Sequence, residues 1–222
     1  MVGIGVFLGY IVEFKEKETM FFTQFALPAL FALQPHSFQF HSETVPFQEM
    51  SKSSVATELV NLITSGSETL HLVVRLGRPT QSTVTLESNG FELQYSLGGQ
   101  AYIAVCNPSL LDPLELLTTH DLKEIRTLEP TWKLHKFLAE GRVPTWTMPT
   151  AKTKAERQDP TVAVYVMFHK DANLQLCSDN AMAGYGAKVR STLQTNQTIV
   201  MELPYSSIFH LAEQDNVLYI EP

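Results

Sequence analysis

Leu70–Leu76 (LHLVVRL) and Val162–Phe168 (VAVYVMF) are runs rich in β-branched residues, of strand length and suited to a buried strand. Laid over one another, they bring the rest of the chain into register. Gly90-Phe91-Glu92-Leu93 falls on Gly186-Ala187-Lys188-Val189, and Leu97 falls on Leu193. Ala101–Cys106 matches Thr198–Leu203, each soon followed by a proline, Pro108 and Pro204. An apolar helical stretch comes next, Leu110–Leu117 against Ser207–Ala212, and then a closing strand, Ile125–Leu128 with Glu129-Pro130 against Leu218–Ile220 with Glu221-Pro222. Landmarks repeated in the same order predict one module present twice.

Each copy is expected to run strand, helix, strand, strand, helix, strand. The first helix is plain in the second copy, where Leu174, Leu176, Cys177 and Met182 form a stripe closed by Gly184 and Gly186. In the first copy, Thr80–Ser88 is rich in Thr and Ser and a weaker helix former. Gly98-Gly99 and Gln194–Gln197 are expected hairpin links. Pro108 and Pro204 suit a first helical turn, which has no need of their missing N–H. The predicted fold class is α+β: tandem ferredoxin-like βαββαβ domains, each a four-stranded antiparallel sheet with two helices on one face. The expected divisions are a leader at 1–50, a first copy at 51–130 opened by a helix at Ser53–Thr64, a Pro-containing linker at 131–161, and a second copy at 162–222. Trp132 and Trp146 in the linker are expected to anchor it.

The leader alternates apolar Met1–Tyr10, charged Glu13–Glu18 and apolar Met20–Leu33. Neither apolar run reaches the ~20 residues that a membrane span needs. Lys15 and Lys17 ahead of Phe21–Leu33 resemble the start of a signal peptide, but no clean cleavage site follows. Export and a plain leader both stay open.

With 16 basic and 23 acidic residues the net charge is -7, and no basic run occurs, so a nucleic-acid partner is not expected. Cys106 and Cys177 make no metal pair and fit buried apolar positions. Phosphate-loop, dinucleotide and zinc-protease motifs are absent from the sequence, so neither catalysis nor a cofactor nor a metal is expected. The seven histidines (His36, His41, His71, His120, His135, His169, His210) lie in no acid-paired or glycine-flanked motif, which assigns them loop and surface roles. His71 and His169 sit in or just after the first strands, at an offset that differs from the repeat, so no shared site is expected of them. Asn196-Gln197-Thr198 is a glycosylation sequon at a predicted hairpin tip, with Asn196 as acceptor.

In the second copy, Val164–His169, Tyr185–Leu193, Ile199–Pro204 and Leu211–Pro222 resemble the N-terminal prodomain of subtilisin-like serine proteases. The family's Gly-Ala-x-Val strand, Leu-Pro element and Leu-Ala-x-x-x-x-Val-x-x-Ile-Glu closure correspond to Gly186–Val189, Leu203-Pro204 and Leu211–Glu221. The likeness covers about 60 residues and is degraded in the first copy. It implies a non-catalytic propeptide that docks its sheet on two surface helices of a protease, in cis or in trans, as an intramolecular chaperone or inhibitor. The closing strand would then point toward the substrate cleft, which makes Val217, Leu218, Tyr219, Ile220, Glu221 and Pro222 the expected docking residues. The protease's own motifs do not occur in the sequence, which implies either a pro-region of a longer precursor or a diverged binding protein. Two other readings remain: tandem βαββαβ domains that sense a small molecule between copies, with Gly98-Gly99 allowing close backbone approach, and a structural interaction module, whose binding surface is self-consumed if the two sheets pack together and stays free on both sheets if the copies lie apart along the linker.

Overall fold

The computed structural model describes residues 4–7, 10–13, 37–41, 43–66, 69–78, 83–148 and 158–222. The lysines and the second apolar run of the leader lie outside these residues. The chain divides into a unit at Met1–Gln34 and a unit at Pro35–Pro222. In the first, β1 (Ile4–Phe7) pairs antiparallel with β2 (Tyr10–Glu13). The larger unit holds two four-stranded antiparallel sheets with helices, an α+β architecture.

After a hairpin of β3 (Ser37–Phe40) and β4 (Glu43–Pro46), the chain runs α1 (Lys52–Ser65), β5 (Leu70–Leu76), α2 (Thr83–Ser88), β6 (Phe91–Gly98), β7 (Ala101–Cys106), α3 (Pro113–Thr118) and β8 (Leu122–Thr127). The strands lie in the order β6-β7-β5-β8. Ser51 starts α1, its Oγ accepting from the Ser54 N–H at 3.1 Å, and Asp112 does the same for α3 through Glu115 at 3.1 Å. Val55, Leu59, Leu86 and Leu116 pack from the helices onto Leu72, Val74, Leu76, Ala104 and Cys106 of the sheet.

The later half repeats the plan: β9 (Thr161–Phe168), α5 (Leu174–Tyr185), β10 (Lys188–Leu193), β11 (Thr198–Pro204), α6 (Tyr205–Ala212) and β12 (Val217–Glu221), with α4 (Lys136–Ala139) between the halves. The order β10-β11-β9-β12 is that of the first sheet, element for element. Alternate residues Val162, Val164, Val166 and Phe168 meet Leu174, Cys177, Ala181, Ile208 and Leu211. The glycine landmarks of the repeat have a common cause. Gly90 and Gly186 follow the first helix of their copies with φ of +86° and +63°, a left-handed turn that glycine adopts without strain. At the hairpin link, Gly99 and Gln100 take φ of +56° and +65°, the twist that a two-residue turn requires.

The helix expected over Thr80–Ser88 is present at Thr83–Ser88, and 80–82 lie outside the described residues. Two expected features differ. The leader expected at 1–50 carries β3 and β4, whose Phe38, Phe40 and Val45 are buried. The expected linker is folded in its first half: Leu134 and Leu138 belong to the core of the second copy. Lys133–His135 also lines the edge of β12, the Ile220 N–H donating to Lys133 O at 2.7 Å and the His135 N–H to Ile220 O at 2.8 Å. Trp132 is the expected anchor, buried and under the Arg126 guanidinium at 4.6 Å, whereas Trp146 is 77% exposed. Its neighbour Thr147 is buried instead, through its own turn to Pro144.

A third apolar cluster contains no helical residue. Val73, Ala101 and Ile103 of the first sheet meet Leu218, Tyr219 and Met167 of the second, with Phe38, Phe40, Val45, Leu128 and Trp132 around them. The helix-free faces of the two sheets therefore pack on one another. Each large apolar side chain removed from water here contributes about 1.5–3 kcal/mol.

Candidate functional site

The polar groups of the sheet–sheet contact gather at one side, where the start of β5 meets the end of β9. His71, the second residue of β5, stacks on His169, the residue after β9, with ring centroids 3.7 Å apart and planes 13° from parallel. Both are buried, which corrects the loop and surface roles expected for them. The different offset does not separate them, because opposite ends of the two first strands come together.

His71 is held by two aspartates of the second copy. Its Nδ1 lies 2.6 Å from Asp215 and its Nε2 lies 2.9 Å from Asp171, while its backbone N–H donates to Asp215 at 3.0 Å. Carboxylate oxygens only accept, so both ring contacts are satisfied together by the imidazolium. Burial alone would lower the His71 pKa; the hydrogen bonds and charges of Asp215 and Asp171 outweigh it and raise it. Burial would likewise raise both aspartates, but the hydrogen bonds from His71 hold each below its ordinary value.

His169 has the opposite environment. It is fully buried, and neither ring nitrogen has a hydrogen-bond partner. Burial, with the positive charges of His71 and Lys133 nearby, pushes its pKa down to about 3, so the ring is neutral. Lys133 is also buried, its Nζ donating to Gln214 O at 2.7 Å, and burial lowers its pKa to about 8. Gln94 of β6 donates to Asp171 at 2.8 Å and accepts at its backbone carbonyl from Lys170 Nζ at 2.9 Å. The Lys170 ammonium lies 4.5 Å from the centre of the Tyr95 ring. Five of these bonds join the first copy to the second.

Beside the cluster the sheets part around a cavity of about 470 Å³. Phe40, Tyr95, Leu97, Ile103, Met167 and Leu218 make most of its wall, and Lys170, Gln197 and Asn196 stand at its polar side. His41 closes one flank, its ring stacked on Tyr219 at 3.8 Å. Burial lowers the His41 pKa and favours the neutral ring.

Of the residues expected for docking, Leu218 is in the cavity wall and Tyr219 lies under His41. Val217, Leu218, Tyr219 and Ile220 are buried inside the chain, and Glu221 and Pro222 are half-buried where β12 ends. Asn196, the expected glycosylation acceptor, is exposed in a short 3-10 turn (Gln194–Asn196) within the expected hairpin link between β10 and β11. Cys106 and Cys177 are free and buried. Among the described residues no group of three or more His, Cys, Asp or Glu side chains is placed to hold a metal, and no helix is long and apolar enough to cross a membrane.

The arrangement is suited to holding two sheets together through an ion pair shielded on one side by a stacked ring. It does not present His71 as a free base, since both ring nitrogens are engaged by carboxylates. No family model, curated protein or solved structure matches the chain.

Proposed function

We propose that the chain is a non-catalytic docking module made of two ferredoxin-like βαββαβ copies, and that it acts on a subtilisin-like serine protease, in cis or in trans, as a folding chaperone or inhibitor. The observation that carries this reading is the strand order. In both sheets the fourth strand lies beside the first, then the third and the second, with the closing strand at one edge. Two split βαβ crossovers of the usual hand generate that order. It is the arrangement implied by the resemblance of 164–222 to the protease pro-region.

The packing of the sheets sets how such docking works. In the pro-region family the helix-free face of the sheet meets the protease, and here each copy covers that face of the other. Two routes follow. Either the copies separate and the second sheet docks, or they stay paired and the end of β12, through Glu221 and Pro222, engages the cleft as an extended strand.

Adding the full chain to a set of subtilisin-like proteases and following peptide hydrolysis tests the proposal. Slowed hydrolysis with a stable complex is expected. No slowing and no complex with any of them overturns it. His71→Ala distinguishes the routes: it removes the ion pair between copies, so tighter inhibition indicates docking by the sheet face, and unchanged inhibition indicates docking by the end of β12.

A further inference from the structure

We infer that the cavity between the two sheets is a binding site for a small amphiphilic carboxylic acid, a single carboxylate on an apolar chain or ring. This does not rest on protease docking, although Leu218 belongs both to the cavity wall and to the expected docking strand. Three observations lead to it. First, the cavity of about 470 Å³ lies in the range of small-molecule sites and at an interface between two folded units, where such sites concentrate. Second, its walls are built and held. His41 and Gln197, two of the four non-glycine residues with positive φ among those described, both line it, at +46° and +51°. Each is fixed from the other side, His41 by stacking on Tyr219, and Gln197 by its Nε2–H donating to Lys170 O at 2.9 Å. Strained backbone kept in place by its surroundings is characteristic of sites for ligands.

Third, the charge is specific. The chain has 23 acidic residues and a net charge of -7, yet none of the twelve residues lining the cavity is Asp or Glu. The one charged group in the lining is Lys170. Its Nζ is bonded to the Gln94 carbonyl and lies over Tyr95, and Asp171 next to it is already engaged by His71 and Gln94. An ammonium that holds neutral groups has protons left for an anion. With His41 neutral on the flank and Phe40, Leu97, Ile103, Met167 and Leu218 as the wall, the complementary ligand is apolar with one anionic head at Lys170.

Decanoate, kept below its micelle concentration, is a suitable probe on the full chain, with decanol as its uncharged counterpart. The readouts are the thermal midpoint and the Met167 methyl resonance in protein labelled at methionine methyls. Saturable movement of the Met167 signal with a rise in midpoint is expected for decanoate, with weaker binding of decanol. Lys170→Gln should weaken decanoate by about three- to fivefold, the effect of one exposed ion pair, and leave decanol unchanged. Leu218→Trp, which fills the cavity, should abolish both. An unmoved Met167 signal, equal binding of decanoate and decanol, or full affinity in Lys170→Gln would each overturn the assignment. If Leu218→Trp fails to fold, Ser96→Trp at the exposed rim supplies the same block.

Discussion

His169 makes a sharp prediction because its burial has a thermodynamic consequence. The unfolded chain presents an ordinary histidine, with a pKa of 6.5, whereas the folded chain holds this ring neutral down to about pH 3. Below 6.5 the unfolded state therefore takes up a proton that the folded state refuses. Stability falls as the pH falls, by up to tenfold in the folding constant per pH unit. Between pH 7 and pH 4.5 this group alone should cost roughly 2–3 kcal/mol. His71 offsets part of it only at the upper end of that range, and equally in wild type and variant. Its folded pKa is raised, so its contribution is complete below 6.5 and is lost only as the pH rises through the folded value. Asp171 and Asp215 have lowered pKa values, so their contributions fade only at a pH below the ordinary carboxylate value of 3.8. The perturbation is His169→Phe, which keeps a flat ring for stacking on His71 and removes two unpartnered nitrogens. Urea unfolding of both proteins at pH 7 and pH 4.5 gives the answer. The wild type should lose roughly 2–3 kcal/mol more than the variant between the two conditions. His169→Leu guards against a poor fit of the larger ring and should flatten the profile equally. Parallel losses in wild type and both variants would refute the buried, neutral state of His169.

Other consequences are open to simpler measurement. His71→Ala removes a charged group bonded twice to the other copy; a loss of about 3 kcal/mol in urea unfolding near neutral pH is expected, and a loss under about 0.5 kcal/mol, the scale of a surface change, would contradict the clamp. Trp146→Phe should remove the red-shifted part of the fluorescence and leave stability unchanged, whereas the emission that remains, from buried Trp132, should be blue-shifted. The Cys106 thiol, pushed up to about 12 by burial, should react with a thiol reagent at neutral pH only after the chain is unfolded. Rapid modification of both cysteines in native protein would count against the burial of β7.

The repeat was legible because each landmark answers to local physics. The apolar runs became β5 and β9, and the paired glycines became left-handed turns after the first helix of each copy. The pairing of the sheets was harder to see. Leu70–Leu76 is apolar at five of its seven positions, on both faces, and such a run fits a strand buried on both faces, but it does not name what buries the second face. Val73 faces the other copy while Leu72 and Val74 face the helices, and all three are ordinary strand residues. The hairpin at 37–46 did carry a signal: Phe38 and Phe40 alternate with Ser37 and Gln39 ahead of a polar turn. The position of that hairpin in the expected leader hid it. The site escaped because comparing equivalent positions of a repeat assumes that like meets like. Here the beginning of one strand meets the end of its counterpart, so the partners His71 and His169 occupy inequivalent positions by necessity.

The short stretch Lys133–His135 along β12 bears on how the chain can be divided. A fragment cut at residue 162 would leave the last strand with an unsatisfied outer edge and would remove Leu134 and Leu138 from its own core. Bare edges of this kind recruit strands from neighbouring molecules, so such a fragment is prone to swapping and aggregation. A fragment beginning near Thr131 keeps the edge closed. Its opening residues also include Trp132, which belongs to the contact between copies. One short stretch thus seals the second copy and also contributes to its contact with the first, so the two halves share a structural element.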